Sequence, residues 1–385
     1  MTIKQIQPFI GKEEADAVYE TILSTQLSEG PKTAELEKQI SNITGYYSMA
    51  VSNWTDGLIL CIETLKKHKK LANSSQIIIP NLTFVASMNS ALFCGLKPVV
   101  LDVDLNGQLD PNIVEDCLKK NKDIEAIMLV DLYGSCPDLG AFNDLSKKYN
   151  VSIIEDAAQA FGTYYKKNVG DSYYAHQHVG AYCDNSIGGF SFYSNKQLAC
   201  GEGGIFVTKN REYYNTALAI KQHGSFTRGT FRHEYTGLNF RIDDVRSTIL
   251  LEQLKKKRII FNSKKMIHDF YQSMFEDELD MFPHESNNIK QNYWFSNILV
   301  ESPTKLKNFL REHDVECRDC FLPLNRQECY RDFDFAKNAY PNSDYLYSHM
   351  LSLPSHPLLQ VSDLAKIADL VLQFLANEKE KNAEL

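Results

Sequence analysis

Apolar and polar positions along the first two thirds of the chain follow two alternating rhythms. Short runs rich in β-branched residues (QIIIP, KPVVLDVD, EAIMLVDLYG, VSIIEDAAQA) are separated by segments with helical spacing (TFVASMNSALFCG, DPNIVEDCLKK, DLGAFNDLSKKYN). This alternation predicts βαβ units, hence an α/β fold with a large, mostly parallel sheet and helices on both faces. Strands of this kind carry functional groups at their carboxyl ends, and Asp102, Asp131 and Asp156 fall at such ends. Further on, RIDDVRSTILLEQLKKKRIIFNSKKMIHDFYQSMF has apolar residues three and four apart, which predicts a long helix bridging to a smaller unit. The expected division is a large domain over 1–255 and a smaller C-terminal α+β domain over 256–385. The second contains QNYWFSNILVES, a helix near 303–313 and a final helix over LAKIADLVLQFLANEKEK, whose charged tail is expected to fray.

Composition narrows the class of function. A length of 385 residues suits a large domain plus a smaller one, and 43% hydrophobic with 23% charged residues is the balance of a globular chain. A formal net charge of −8 argues against a nucleic-acid or anionic-membrane surface, so any phosphate must be held locally. The amino-terminal stretch has no apolar core of signal-peptide length, and no run of about 18 apolar residues occurs, so a cytoplasmic location is expected. Nine scattered cysteines predict reduced thiols. Cys317 and Cys320 form a CxxC without a second pair, and a polar loop explains His176 and His178 at lower cost than two ligands on one strand face, so no metal site is expected.

Candidate chemistry centres on FSFYSNKQLACGEGG. Lys196 follows an apolar run that reads as a strand entering the interior and precedes a glycine-rich loop whose backbone must approach something closely. A lysine desolvated there has a lowered pKa and becomes a nucleophilic amine. In SIIEDAAQAFG, Asp156 comes just after a buried strand and is followed by small residues and Gln159. A buried aspartate needs a cation or donors; a protonated pyridine nitrogen would serve, and so would a helix cap. SNWTDGL precedes the helical segment LILCIETLKKH, so the Thr55 hydroxyl and first-turn N–H groups could cradle a phosphate ester or simply form a cap. Ser191 could add a phosphate contact, and Phe84 could cover a flat ring or sit in the core.

Read in order, PNLTFVAS, GLKPVVLDVD, IIEDAAQAFG, FSFYSNKQLACGEGG and GLNFRIDDVRSTILLEQL resemble the nucleotide-sugar aminotransferases, the DegT-type family of fold-type I pyridoxal-phosphate enzymes. With STQLSEGPKTAELEKQI upstream, the resemblance covers roughly residues 10–375. It implies pyridoxal 5′-phosphate attached to Lys196, with Asp156 as partner of the ring nitrogen and Gln159 against the ring. It further implies Thr55 and Ser191 as phosphate ligands and Phe84 stacked on the ring. Asn239 matches an asparagine that reaches the phosphate of the neighbouring subunit, which implies a homodimer with shared active sites. The chain departs from the pattern twice. Trp54 stands where the family usually has glycine, as in SNGTDAL, and Asn325 in RDCFLPLNRQ stands where relatives often carry histidine.

The resemblance implies amino-group transfer from L-glutamate, leaving 2-oxoglutarate, to a keto group on a nucleotide-linked deoxysugar. Arg228, Arg232 and Arg318 are candidate partners for its diphosphate, with Asn325 a further substrate contact. Sugar 3-dehydratases of the same fold carry histidine in place of Lys196, and a non-catalytic homologue would need no complete constellation. Relatives acting at carbon 3 tend to read PGKNLGA then GDGG, whereas those acting at carbon 4, perosamine synthases among them, tend to read GNK then TGEGG. SNKQLACGEGG is nearer the second pattern, so a 4-keto-6-deoxysugar is expected, with a 3-keto sugar as the alternative.

Overall fold

The computed structural model describes residues 2–168, 174–227, 231–284 and 286–383. The strands of its amino-terminal part are β1 (Tyr47–Val51), β2 (Gln76–Pro80), β3 (Lys97–Leu101), β4 (Ile124–Val130), β5 (Ser152–Asp156), β6 (Tyr164–Asn168), β7 (Tyr174–His178), β8 (Ile187–Ser191) and β9 (Gly204–Thr208). They are followed by β10 (Asp280–Phe282), β11 (Ile289–Lys290), β12 (Ser296–Leu299), β13 (Arg318–Asp319) and β14 (Met350–Leu353).

Seven strands form the main sheet in the order β1-β9-β8-β5-β4-β2-β3. Neighbours from β8 to β3 run parallel, while β9 is antiparallel to both β8 and β1. The apolar runs are continuous because the central strands are covered on both faces. Ile77, Ile79, Met128 and Ile154 pack into one cluster with Leu58, Cys61 and Leu65 of the helix Trp54–Lys67. Ile78, Ile127, Leu129 and Ile153 point the other way, into a second cluster with Phe142 and Leu145 of the helix Leu139–Tyr149. Side chains two apart share a face, so each βαβ unit supplies both layers.

A four-stranded antiparallel sheet, β10-β12-β14-β13, and a three-stranded one, β11-β6-β7, complete the fold. The long helix, Asp244–Phe275, ties the parts together. Leu250, Leu251 and Leu254 join the second cluster, whereas Ile267, Tyr271 and Phe275 join a third, built against β12 and β14. The division expected at 255/256 therefore falls inside one continuous helix. Pro303–Glu312 forms the helix expected near 303–313. The charged tail expected to fray is helical as far as it is described: the last helix runs Val361–Ala383, with Glu378 accepting from Lys305 at 2.9 Å and Lys381 at 3.1 Å, and Lys379 paired to Glu278 at 2.6 Å, while residues 384–385 lie outside the described residues. Ion pairs to neighbouring segments carry the helix beyond its last apolar turn. No described helix is long and apolar enough to cross a membrane.

Candidate active site

Asp156 is the last residue of β5, at the carboxyl edge of the parallel strands, and is buried. Such a carboxylate needs donors, and three come from separate elements. Trp54 Nε1–H donates to Oδ1 at 2.8 Å, Ser87 Oγ–H to Oδ2 at 2.7 Å, and the Ala158 backbone N–H to Oδ1 at 3.3 Å. Burial raises the carboxyl's pKa; the Ser87, Trp54 and Ala158 hydrogen bonds and the Lys196 charge pull it back.

Lys196 lies in the turn after β8, its backbone N–H bonded to Tyr193 O at 2.8 Å. Its Nζ sits 3.8 Å above the centre of the Trp294 ring, and Trp294 Nε1–H donates to Asn195 O at 2.7 Å, so the ring is fixed to the turn that it supports. Desolvation lowers the amine's pKa to about 7, with Asp156 opposing the shift and the Arg318 guanidinium reinforcing it. Near neutral pH much of this amine is therefore unprotonated, as a nucleophile or proton carrier requires.

Asp156 and Lys196 line a cavity of ≈ 560 Å³ together with Thr55, Ser191, Gln159 and Phe84. The helix behind Thr55 starts earlier than its apolar spacing predicts. Asn53 caps it through Oδ1, which accepts from Asp56 N at 2.9 Å, so Trp54 and Thr55 are its first two residues. First-turn N–H groups have no intrahelical acceptor and form a local site for an anion. The glycine loop approaches this helix start: a Cβ on Gly204 would lie 2.9 Å from both Asn53 C and Trp54 N.

Gln159 is buried, its Oε1 accepting from Tyr133 N at 2.7 Å and its backbone carbonyl from Gln197 Nε2 at 2.6 Å. Phe84, 52% exposed, stands beside Phe321 with ring centres 5.9 Å apart; it is a cavity wall and not a core residue. Arg318 also lines the cavity.

Other expected contacts are not brought there. Asn325 is tied to Asn81 by reciprocal 3.0 Å bonds, its Oδ1 accepting from Asn81 Nδ2 and its N–H donating to Asn81 Oδ1, and it does not line the cavity. Arg232 stands in solvent 3.6 Å from Glu234, also outside the lining. Asn239 is exposed and outside the lining, its Oδ1 accepting from Arg241 N at 3.3 Å. Arg228 lies outside the described residues. Of the other strand-end aspartates, Asp102 accepts from Asn342 N at 2.9 Å and Ser343 Oγ at 2.6 Å, a structural tie, and Asp131 is buried beside Glu155.

His178 is a satisfied core histidine, its Nε2 accepting from Gly162 N at 3.0 Å and its pKa pushed down to about 4 by burial. The cysteines are free, and no group of metal-ligating side chains occurs among the described residues. Sequence reasoning missed Trp294, Ser87 and the hydrogen bond of Trp54.

A mostly parallel seven-stranded sheet with a lysine and a buried aspartate at its carboxyl edge defines a fold-type I aminotransferase architecture. The chain belongs to the DegT/DnrJ/EryC1/StrS aminotransferase family, whose sequence model matches residues 8–372. It is 28% identical over 377 residues to a GDP-perosamine synthase of Escherichia coli O157:H7, covering 97% of this chain and 98% of that one. A GDP-perosamine synthase of Vibrio cholerae is 30% identical over 336 residues, with 85% and 86% covered. Among solved structures, the Helicobacter pylori aminotransferase of pseudoaminic acid biosynthesis superposes with a TM-score of 0.87 at 23% identity, covering 98% of this chain and all of that one.

The Trp54 indole occupies space that a side chain at position 57 would need, since a Cβ on Gly57 would lie 2.3 Å from Trp54 Cε3. Gly57→Ala should therefore destabilise the protein by about 1–3 kcal/mol through overpacking. In a Trp54→Ala background the same change should stabilise it by up to ~1 kcal/mol, from helix propensity. Urea unfolding of the four proteins of this cycle measures the coupling, and additive effects would show that the two positions do not share space.

Proposed function

We propose that this chain is a sugar aminotransferase that uses pyridoxal 5′-phosphate to move an amino group from L-glutamate to a nucleotide-linked 4-keto-6-deoxysugar. The observation that carries this reading is the Lys196 amine, brought to a pKa of about 7 and facing the cavity that holds Asp156. The donor set suits the cofactor. First-turn N–H groups with the Thr55 and Ser191 hydroxyls would hold its phosphate, and Asp156 its ring nitrogen. Gln159 and Phe84 would contact the ring. When bound, pyridoxal phosphate supplies an electron sink for the electron pair left when a carbon loses its proton.

The protein's part is positioning and proton transfer. Asp156 keeps the ring nitrogen protonated, since an adjacent carboxylate raises that nitrogen's pKa. In the first half-reaction Lys196 Nζ would take the proton from the α-carbon of glutamate, whose nitrogen is retained in the site while water supplies the keto oxygen of the departing 2-oxoglutarate. In the second, the retained nitrogen bonds to the sugar's carbonyl carbon as its oxygen leaves as water, and Nζ would deliver a proton to that carbon. Arg318, which lines the cavity, would meet a substrate diphosphate, and Arg228 is a second candidate. Trp54, at the phosphate-binding helix start, contacts the cofactor's carboxylate partner. A lysine at 196, where the related dehydratases carry histidine, supports amine transfer over loss of water.

Borohydride reduction of the holoenzyme should fix the cofactor to a peptide containing Lys196. Reconstitution of apoprotein should quicken as pH rises through about 7 and then level off, because Lys196 loses its proton there. Lys196→Ala should bind cofactor without turnover. Labelling of a different lysine would overturn the assignment.

Asn239, exposed and outside its own cavity, is proposed to reach the phosphate in the partner subunit of a homodimer. Mixed Lys196→Ala and Asn239→Asp proteins should then regain activity by forming one site with both wild-type residues. No recovery after verified subunit exchange would refute sharing.

The regiochemistry rests on SNKQLACGEGG, which sets where the amine stands over the sugar; an error of about 1 Å there can cost a hundredfold in rate. Offered 3-keto and 4-keto deoxysugars on the same nucleotide with L-glutamate, the enzyme should place nitrogen at carbon 4, as located by NMR. Nitrogen at carbon 3 with the 4-keto compound untouched would reverse the regiochemistry and leave aminotransfer standing.

A further inference from the structure

A carboxylate has about four acceptor positions. On Asp156, Oδ1 accepts from Trp54 Nε1–H at 2.8 Å and Ala158 N–H at 3.3 Å, and Oδ2 accepts from Ser87 Oγ–H at 2.7 Å. Among the described residues this leaves one position, on Oδ2. Trp54 is the unusual donor of the three. A side chain at the first position of a helix normally has open space around it, yet this indole is 4% exposed and lodged between two elements. The slot exists because both walls lack a Cβ. One on Gly57 would lie 2.3 Å from indole Cε3, and one on Gly189 would lie 2.6 Å from Cζ3. Gly189 pairs with Asp156 across β5 and β8, so the slot opens onto the carboxylate itself.

We propose that Trp54 is a positioning residue for the transamination: its indole N–H fixes Asp156 so that Oδ2 presents its remaining acceptor position to the cofactor's ring nitrogen, and holds the carboxylate in its charged form. Burial alone favours the neutral acid, which could not retain a proton on the ring nitrogen. A charge-assisted donor shifts that balance and turns the carboxylate without adding charge to the cavity. The same helix start thus serves both ends of the cofactor, with backbone N–H groups toward its phosphate and the Trp54 side chain toward its ring nitrogen.

This inference rests on the reading of Asp156 as the ring-nitrogen partner, and the two are tested apart. The chain has two tryptophans, so isotope-labelled holoenzyme should give two indole N–H resonances in its NMR spectrum, assigned through Trp54→Phe or Trp294→Phe. Asp156→Asn should move the Trp54 resonance and leave that of Trp294 in place. Trp54→Phe, which keeps a ring in the slot, should lower kcat about tenfold, the equivalent of one modest hydrogen bond in the transition state, while the KM values for glutamate and ketosugar change less than twofold. A merely space-filling tryptophan would leave kcat untouched in Trp54→Phe. Wild-type protein loaded with cofactor on Lys196, but with a Trp54 resonance indifferent to Asp156→Asn or with wild-type kcat in Trp54→Phe, overturns this inference alone. Wild-type protein that takes up no pyridoxal phosphate overturns the functional reading with it.

Discussion

The site depends on one costly placement, a carboxylate buried at the end of the central strand β5. An unpaired charge there would neutralise or destabilise the fold by several kcal/mol, so Asp156 requires donors from whatever surrounds it. Those donors fix the neighbourhood. Ser87 orients the helix Val85–Phe93, Trp54 orients the helix Trp54–Lys67, and Ala158 commits the backbone after β5 to a tight turn. Satisfying the carboxylate therefore also places Phe84 at one helix start and Thr55 at the other, both on the cavity.

The opposing group is placed by a different constraint. Lys196 sits in a turn between β8 and β9, and β8 lies between β5 and β9 in the sheet. Gly204 lets the return strand press against the Asn53–Trp54 backbone, which brings the turn and the helix start to one cavity. Distant parts of the sequence meet because sheet order leaves them no other place. The long helix Asp244–Phe275 then carries the chain to the sheet of β10, β12, β13 and β14, whose β13 returns Arg318 to the cavity wall.

Much of this was legible because it is local. Alternating β-branched and helical runs encode the parallel sheet, strand-end position marks Asp156, and an apolar run followed by glycines marks Lys196. What escaped depends on pairings across the fold. Trp54 was readable only as a departure from a glycine pattern, since its partner lies 102 residues away and its slot is set by Gly57 and Gly189. Trp294 reads as an ordinary core aromatic, and nothing local shows that Lys196 lies over its face. Asn325 reads as a polar loop residue open to substrate, but its side chain is spent on Asn81, 244 positions away. Arg232 shows the converse limit, because a surface cation looks the same in sequence whether or not it faces a ligand.

A depressed lysine pKa does not by itself single out the reactive residue. Lys221, Lys264 and Lys196 are all shifted downward by burial. Lys221 is held by Glu29 at 3.1 Å and by Ala50 O at 3.1 Å, so its charge has a partner and its amine is engaged. Lys264, also pushed to about 7, donates to Trp294 O at 2.8 Å and Ser355 O at 3.0 Å, which occupies the two N–H groups of a neutral amine. Lys196 Nζ instead meets an aromatic face and lines the cavity with Asp156, where a lone pair can reach a carbon. The two neutral-prone lysines are joined through Trp294, whose carbonyl Lys264 holds and whose ring lies under Lys196. The amine that cannot react thus anchors the surface on which the reactive one rests.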